Sequence, residues 1–298
     1  MKALLIVNGF LNTQKFEELY EMFQKSAKKF SVVLDLKTND EIMIDINSEN
    51  VYENKAINDV DFILFWDKDV KLARYLENLG FKVFNSAKSI AICDDKSLTH
   101  LYLMNSGIKM PRTIVAPMTY ANIGYTNYDY LEKVKKALAF PIIVKEVFGS
   151  FGRQVYMASN ATELETIVKK HSDKSSLIFQ EYISRSKGRD IRLQVVKDKV
   201  VASMYRYNDS GDFRANLSNG GKMKNYSPTK EEADIAIKSC KILGLDFAGV
   251  DLLFGEEDQP IVCEVNSNAH FKNITEVSGI SISDYIIEHI INQVKENN

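Results

Sequence analysis

Residues 248–268, AGVDLLFGEEDQPIVCEVNSN, constrain this chain more than any other stretch. Two apolar runs flank GEEDQP, whose Gly, Asp and Pro content is that of a tight turn, so the runs read as adjacent antiparallel strands. Side chains alternate along a strand, so Glu264 and Asn266 share one face and Val265 turns to the other. Asp251, opening the first run, joins that face. Two carboxylates and a carboxamide among Ala, Val, Leu, Phe and Ile need compensating charge. Oxygen ligands alone suit a hard cation such as Mg²⁺, completed by substrate phosphates and water. An ordinary hairpin would scatter lysines and threonines over its wet face, and none stand on this one.

The 298 residues suffice for a full core and for two or three domains. A composition of 45% hydrophobic and 26% charged residues is ordinary for a globular chain. The net charge of −2 gives no overall basic field for nucleic acid. MKALLIVNGF has too short an apolar run for a signal peptide and reads as a first strand. No run approaches the roughly 20 apolar residues of a membrane helix. Cys93, Cys240 and Cys263 are far apart, without metal-ligand spacing, and read as inert buried thiols. The cytoplasm is the expected compartment.

Residues 1–95 alternate strands (KALLIVN, DFILFW, FKVFN) with helices from Thr13 to Phe30 and through Leu72 and Leu76. That alternation is the mark of an open parallel α/β sheet. Asn8-Gly9-Phe10 lacks the glycines of a dinucleotide fingerprint. A helix is expected from Asp95, with Leu98, Leu101 and Tyr102 on one face and Gly107 as its stop. Residues 112–183 read as a small α+β unit: PIIVKEV, the turn GSFGRQ, VYMA, a helix from Asn160 with Glu163 completing a capping box, and SLIFQEYI. Beyond Gly188, DIRLQVV and KVVASMYRY form a hairpin, and residues 208–225 a polar loop. Thr229 and Glu232 cap a helix bearing Ala233, Ala236, Ile237 and Cys240, stopped at Gly244, and a final amphipathic helix carries Ile286, Ile287, Ile290, Ile291 and Val294.

Three further motifs bear on chemistry. In EVFGSFGRQ, residues 146–154, Gly149, Ser150 and Gly152 would let backbone N–H groups approach a polyphosphate, with Lys145 adding charge; alone, the motif reads more readily as an ordinary turn between strands beside a solvated lysine. FQEYI, residues 179–183, leads from a strand into a polar link whose backbone can meet an adenine edge, although by itself the segment reads better as a strand ending in an ordinary hinge. Asp190 and Arg192 sit two apart on one strand face, and DFRANLSNGG offers Arg214, Asn216 and Gly220-Gly221. With Arg192, Arg206 and Arg214 framing one region, an anion site outweighs a solvated loop, because the guanidinium fork matches carboxylate and phosphate. His100, His171 and His289 fall in helical patterns and read as structural or exposed.

The order of these elements resembles the ATP-grasp superfamily, and within it the RimK-like carboxylate–amine ligases. The resemblance runs from Asp95 to the end, with the first 95 residues matching by domain pattern. It implies a three-domain ATP-grasp fold of α/β and α+β class: an N-terminal open parallel α/β domain (1–95), a linker helix and central nucleotide lid (96–185), and a C-terminal α+β domain (186–298). By this resemblance Lys96 and Lys145 hold nucleotide phosphates under the Gly149-Ser150-Phe151-Gly152 turn. Gln180, Glu181, Tyr182 and Ile183 form the adenine hinge, and Asp190 meets the ribose. Arg192, Arg206, Arg214 and Asn216 lie near the γ-phosphate and acyl phosphate, and Asp251, Glu264 and Asn266 bind two Mg²⁺ (or Mn²⁺) ions.

The activity implied is ATP-dependent amide formation through an acyl phosphate, releasing ADP and phosphate. One substrate would be an amino acid or peptide, glutamate-like or the end of a carrier protein. Neither nucleic acid nor membrane is expected as a partner, and the exposed helix faces leave room for a homo-oligomer. The tail departs from RimK itself: Ser267-Asn268-Ala269-His270 replaces a Ser-Pro-Gly turn, and Phe271-Lys272-Asn273 resembles LysX-type ligases, which usually carry glutamate where His270 stands. Phe151 and Arg153 occupy positions that are often small or polar. The rival expectations are an ATP-grasp kinase and a nucleotide-binding module without catalysis; intact Lys145, Arg214 and metal ligands weigh against the latter.

Overall fold

The computed structural model describes residues 1–296 apart from residues 12, 48–56, 58, 121, 151, 173–175, 218 and 219. Phe151, expected in the glycine turn, lies outside the described residues. Strands β1 (Lys2–Val7), β2 (Val33–Thr38), β3 (Phe62–Phe65) and β4 (Val83–Phe84) form a parallel sheet in the order β2-β1-β3-β4. Their crossovers include helices α1 (Gln14–Lys29) and α2 (Val70–Asn78). Leu4 to Val7 and Phe62 to Phe65 are buried on both faces, as central parallel strands require. Strand β2 does not stand out in the sequence: its VLDLKT is half exposed at the sheet edge and shows no solid apolar run.

Two helices follow, α3 (Ala87–Asp94) and α4 (Lys96–Leu103), the first of them unforeseen. The expected face of α4 is corrected: Leu101 and Tyr102 are exposed, whereas Lys96, Ser97, Thr99, His100 and Leu103 are buried. A polar face turned inward marks a helix that borders a site rather than a core. The helix ends at Leu103, four residues short of Gly107.

The middle sheet is antiparallel, ordered β5-β8-β6-β7, from β5 (Thr113–Val115), β6 (Ile142–Glu146), β7 (Val155–Ala158) and β8 (Leu177–Glu181). Helices α5 (Tyr130–Ala137) and α6 (Ala161–His171) cover it. At the start of α6 Asn160 accepts from the Glu163 N–H, but Glu163 accepts from Ser159 N–H, one residue before the cap, so the expected box is only half made.

The third sheet runs β11-β10-β9-β12-β13, from β9 (Arg189–Val196), β10 (Lys199–Tyr207), β11 (Lys222–Asn225), β12 (Phe247–Phe254) and β13 (Pro260–Asn266). All its pairings are antiparallel. The 208–225 segment, expected to be loop throughout, ends in β11. Helix α7 (Lys230–Leu243) has the full Thr229–Glu232 capping box and the left-handed Gly244 stop. Two helices, α8 (Lys272–Ser278) and α9 (Ile282–Glu296), complete the chain.

The first and third sheets share one apolar core. It joins Leu5, Phe23 and Trp66 to Phe247, Phe271 and Ile286, with Trp66 stacked on Phe247 at 5.5 Å. Asn85, fully buried, stitches the same seam: its Nδ2 donates to the Phe247 and Ser267 carbonyls and its Oδ1 accepts from the Asp246 N–H. Among the described residues no helix is long and apolar enough to cross a membrane.

Candidate active site

Register across β9, β12 and β13 sets out the site in rows. Arg192 pairs with Asp251, and Asp251 with Glu264, so a cation and two acids lie side by side. One step behind, Gln194, Gly249 and Asn266 form a second row, and behind that Val196 and Phe247 enter the core. The strand alternation expected for Glu264, Val265 and Asn266 holds: Val265 is buried in the core beneath and the other two face the site.

Cys263 breaks that alternation. Asp251 pairs with Glu264 but Leu252 pairs with Val262, so Cys263 is the extra residue of a β-bulge. A bulge re-aims side chains and is common beside active sites. Here it brings Cys263 onto the site face, with Sγ 3.6 Å from Lys145 Nζ. The expectation of three thiols among apolar neighbours therefore holds for Cys93 and Cys240 and fails for Cys263, which is only partly buried.

Arg192 grips Asp251 through two bonds of 2.6 and 2.7 Å, and Arg206 reaches the same carboxylate at 2.9 Å. Arg206 also donates to Asp190 at 2.6 Å and is only 4% exposed. Burial pushes the Asp251 carboxyl up, but the two guanidinium groups outweigh it and hold the group at about 2. Burial, aided by the Asp251 charge, raises Asp190. Arg192 and Arg206 thus stand in an ion-pair network with Asp190 and Asp251. Arg214 lies apart, paired with Asp212 at 2.8 Å and donating to the Gly152 carbonyl at 2.9 Å.

Two buried lysines complete the cationic wall. Lys96, at the start of α4, donates to the Gly149 carbonyl at 3.1 Å and sits 3.7 Å from Glu264. Lys145, in β6, is 8% exposed. Gly149 has φ +147, and a Cβ there would meet Gln154 Oε1 at 2.5 Å, so the turn between β6 and β7 requires glycine.

These groups line a cavity of about 120 Å³ walled by Ile143, Val155, Tyr182, Phe213 and Leu253 as well. Gln180 and Glu181 border it but are already engaged: Gln180 Nε2 donates to Thr113 Oγ1 and to His100 Nε2, and Glu181 accepts from the Arg112 N–H. Ile183 lines it too. A second cavity of about 660 Å³ adjoins the first, sharing Ser150, Gly152, Arg206, Asn216 and Glu264. It extends to Lys15, Trp66, Lys68, Asn266 and His270, of which only Asn266 and His270 stand in motifs that mark the site in the sequence. Nothing local marks Lys15 or Lys68; only the fold brings α1 and the end of β3 here. All the site residues expected from sequence border one or other cavity.

The histidines His100, His171 and His289 have structural partners. His100 donates from Nδ1 to the Lys96 carbonyl, His171 meets Tyr156 and Glu146, and His289 meets Asp246 at 2.8 Å. His270 donates to the Lys15 carbonyl at 3.0 Å, and burial lowers its pKa to about 4, so the ring is neutral at physiological pH.

Asp251, Glu264 and Asn266 offer three oxygen-bearing groups on one face. Among the described residues no three His, Cys, Asp or Glu side chains gather as a self-sufficient metal centre. That donor set fits Mg²⁺, which usually takes one or two carboxylates and leaves its remaining positions to phosphate and water.

The profile of the RimK-like ATP-grasp domain matches residues 93–290. An uncharacterized protein of Mycoplasma genitalium, MG012, is 34% identical over 244 residues, 81% of this chain and 84% of its own. A Shewanella sp. (strain W3-18-1) protein named "Probable alpha-L-glutamate ligase 1" is 37% identical over 220 residues, 74% of this chain and 70% of its own. Among solved structures, the D-alanine–D-alanine ligase of Bacillus anthracis complexed with ATP superposes over 100% of both chains at a TM-score of 0.74 and 20% identity, a likeness of fold. The chain belongs to the RimK-like ATP-grasp family, the ATP-dependent ligases that join a carboxylate to an amine.

Proposed function

We propose that the chain activates the carboxylate of an amino acid or peptide with ATP and couples it to an amine. A carboxylate oxygen attacks the γ-phosphorus, and the bond to ADP breaks. The amine nitrogen then attacks the acyl carbon, phosphate leaves with the electron pair, and the amine gives up a proton. The observation carrying this reading is the pair of adjoining cavities that share Arg206, Asn216 and Glu264. A nucleotide in the first would aim its terminal phosphate across that shared wall at a carboxylate in the second.

Each residue's part follows from its surroundings. The apolar walls at Ile143, Val155 and Leu253 suit a planar base, with Gln180 to Ile183 along its edge and Asp190 toward the ribose. Lys96 and Lys145 neutralise phosphates, and the Gly149–Gly152 turn covers them. Asp251, Glu264 and Asn266 would hold Mg²⁺, which supplies charge neutralisation at the transferring phosphoryl group. Phosphoryl transfer depends mainly on positioning and charge, so no nucleophilic side chain is needed.

The second cavity supports an acidic, glutamate-like substrate. Burial is the main reason the Lys15 amine lies below its ordinary pKa; the smaller part comes from the positive charges of Arg192 and Arg153, and those charges favour an added carboxylate. The name of the Shewanella relative points the same way. The test is ADP release with ATP and Mg²⁺ across a panel of amino acids, short peptides and a peptide ending in glutamate, with mass spectrometry of the products. ADP with an amide product is expected. A stable phosphorylated product would make the protein a kinase, and nucleotide binding without turnover on any substrate would make it a binding module.

A further inference from the structure

Gln180 is 1% exposed, and the protons of its neighbours settle which way its carboxamide faces. It stands in β8 between Thr113 of β5 and Ile143 of β6, its partners in the register. Its Nε2 lies 2.8 Å from Thr113 Oγ1 and 2.8 Å from His100 Nε2. The Thr113 hydroxyl gives its one proton to the Pro111 carbonyl at 2.7 Å, so toward Gln180 its oxygen can only accept.

The His100 ring is committed in the same way. Its Nδ1 lies 2.9 Å from the Lys96 carbonyl, which cannot donate, so Nδ1 carries the proton of the neutral ring and Nε2 is an acceptor. Burial and the Lys145 charge oppose a second proton and lower the pKa of the ring to about 4. Both hydrogens of the Gln180 amide thus go to acceptors. Turning the amide over would set Oε1 against two lone pairs and lose both bonds. Oε1 is left to accept from whatever fills the first cavity, which Gln180 lines beside the apolar wall of Ile143.

Purines differ at C6, where the amino group of adenine donates and the oxo group of guanine or hypoxanthine accepts. A carboxamide able to turn over can meet either group. One pinned at its nitrogen meets only the amino group. We propose that His100 and Thr113 are positioning residues that pin the Gln180 carboxamide, so that the first cavity takes a 6-aminopurine nucleotide and rejects a 6-oxopurine one. Neither residue lines the cavity, and both act through Gln180. This inference rests on the nucleotide role given above to that cavity.

The test compares the binding of ADP and inosine diphosphate, whose base carries an oxo group at C6, by calorimetry with Mg²⁺ on the full chain. An acceptor held against an acceptor out of water costs roughly tenfold to a hundredfold in affinity, so the wild-type protein should prefer ADP by that factor. His100→Leu keeps the bulk and removes one of the two pins. Inosine diphosphate should then bind more tightly, and the preference for ADP should shrink by about tenfold. Were His100 only a structural prop, its loss would weaken both nucleotides alike and leave their ratio unchanged; that result overturns the inference. Should the leucine variant not fold, Thr113→Val removes the other pin and carries the same expectation and the same refutation. Equal binding of the two nucleotides by the wild-type protein also overturns the inference while leaving the nucleotide cavity in place. If the wild-type protein binds neither, the nucleotide assignment itself falls and takes this inference with it.

Discussion

Asp251 and Glu264 face each other across one pair of strands, yet replacing each by its amide should have opposite outcomes. Glu264 is partly exposed, and its nearest cation, Lys96, is 3.7 Å away. Glu264→Gln should therefore cost at most about 1 kcal/mol of stability while nearly abolishing ADP release. Asp251 is buried under two guanidinium groups. Asp251→Asn leaves Arg192 and Arg206 short of a counter-charge and should cost about 3–5 kcal/mol, the usual penalty for breaking a buried pair. Denaturant unfolding of both variants beside their turnover separates the roles. Equal stability losses would mean that the ion-pair network is not what holds Asp251. The acids and arginines of this network stand out in the sequence as charges in apolar strands, but which arginine meets which acid depends on register between β9 and β12. Cys263 is invisible for a related reason: a bulge exists only relative to its partner strand.

Strands of period two bounded by turn residues, such as β7, β9, β10 and β13, are legible in the sequence almost to the residue. Strands without a clear apolar run are not: β2, β5 and β11 have weak patterns and are held by their neighbours. The linker helix α4 misleads because its buried face is polar. Between β6 and β7 the glycine turn is bonded by cations from three directions: Lys96 to Gly149, Lys68 to Ser150 Oγ at 3.4 Å, and Arg214 to Gly152. The space beneath it is about 120 Å³, against roughly 300 Å³ for ordinary ligand pockets, so the expected outcome is that the turn lifts when a nucleotide enters. Amide exchange over residues 146–156 should slow on adding ATP and Mg²⁺, as phosphates replace these weak tethers. Equal protection in both states would refute a moving lid. Arg214→Lys keeps the charge and loses the fork that spans Asp212 and Gly152. It should lower kcat by roughly a hundred- to a thousandfold with little change in ATP Kd. Wild-type chemistry in this variant would reduce Arg214 to a tether of its own loop.

For the protein as a unit, acid is the vulnerable direction. Burial lowers the pKa of His100 from its ordinary 6.5 to about 4, and His270 behaves alike. Below pH 6.5 the unfolded chain takes up protons at these rings and the folded chain does not, so their contribution is complete above pH 6.5 and is lost as pH falls toward 4. His100 has a further reason to resist: a proton on Nε2 would confront the amide of Gln180. The melting temperature should drop across that window, and His100→Gln should flatten the drop; an unchanged profile would remove His100 as its source. The core shared by the first and third sheets reaches further. The matched span, residues 93–290, omits Leu5, Phe23 and Trp66, whose side chains cover Phe247 and Phe271. Expressed alone, that span would bare a broad aromatic and aliphatic face to water, and it should precipitate or bind a hydrophobic dye, whereas the full chain stays dispersed. The length of chain that kinship recognises is shorter than the length that can survive by itself in water.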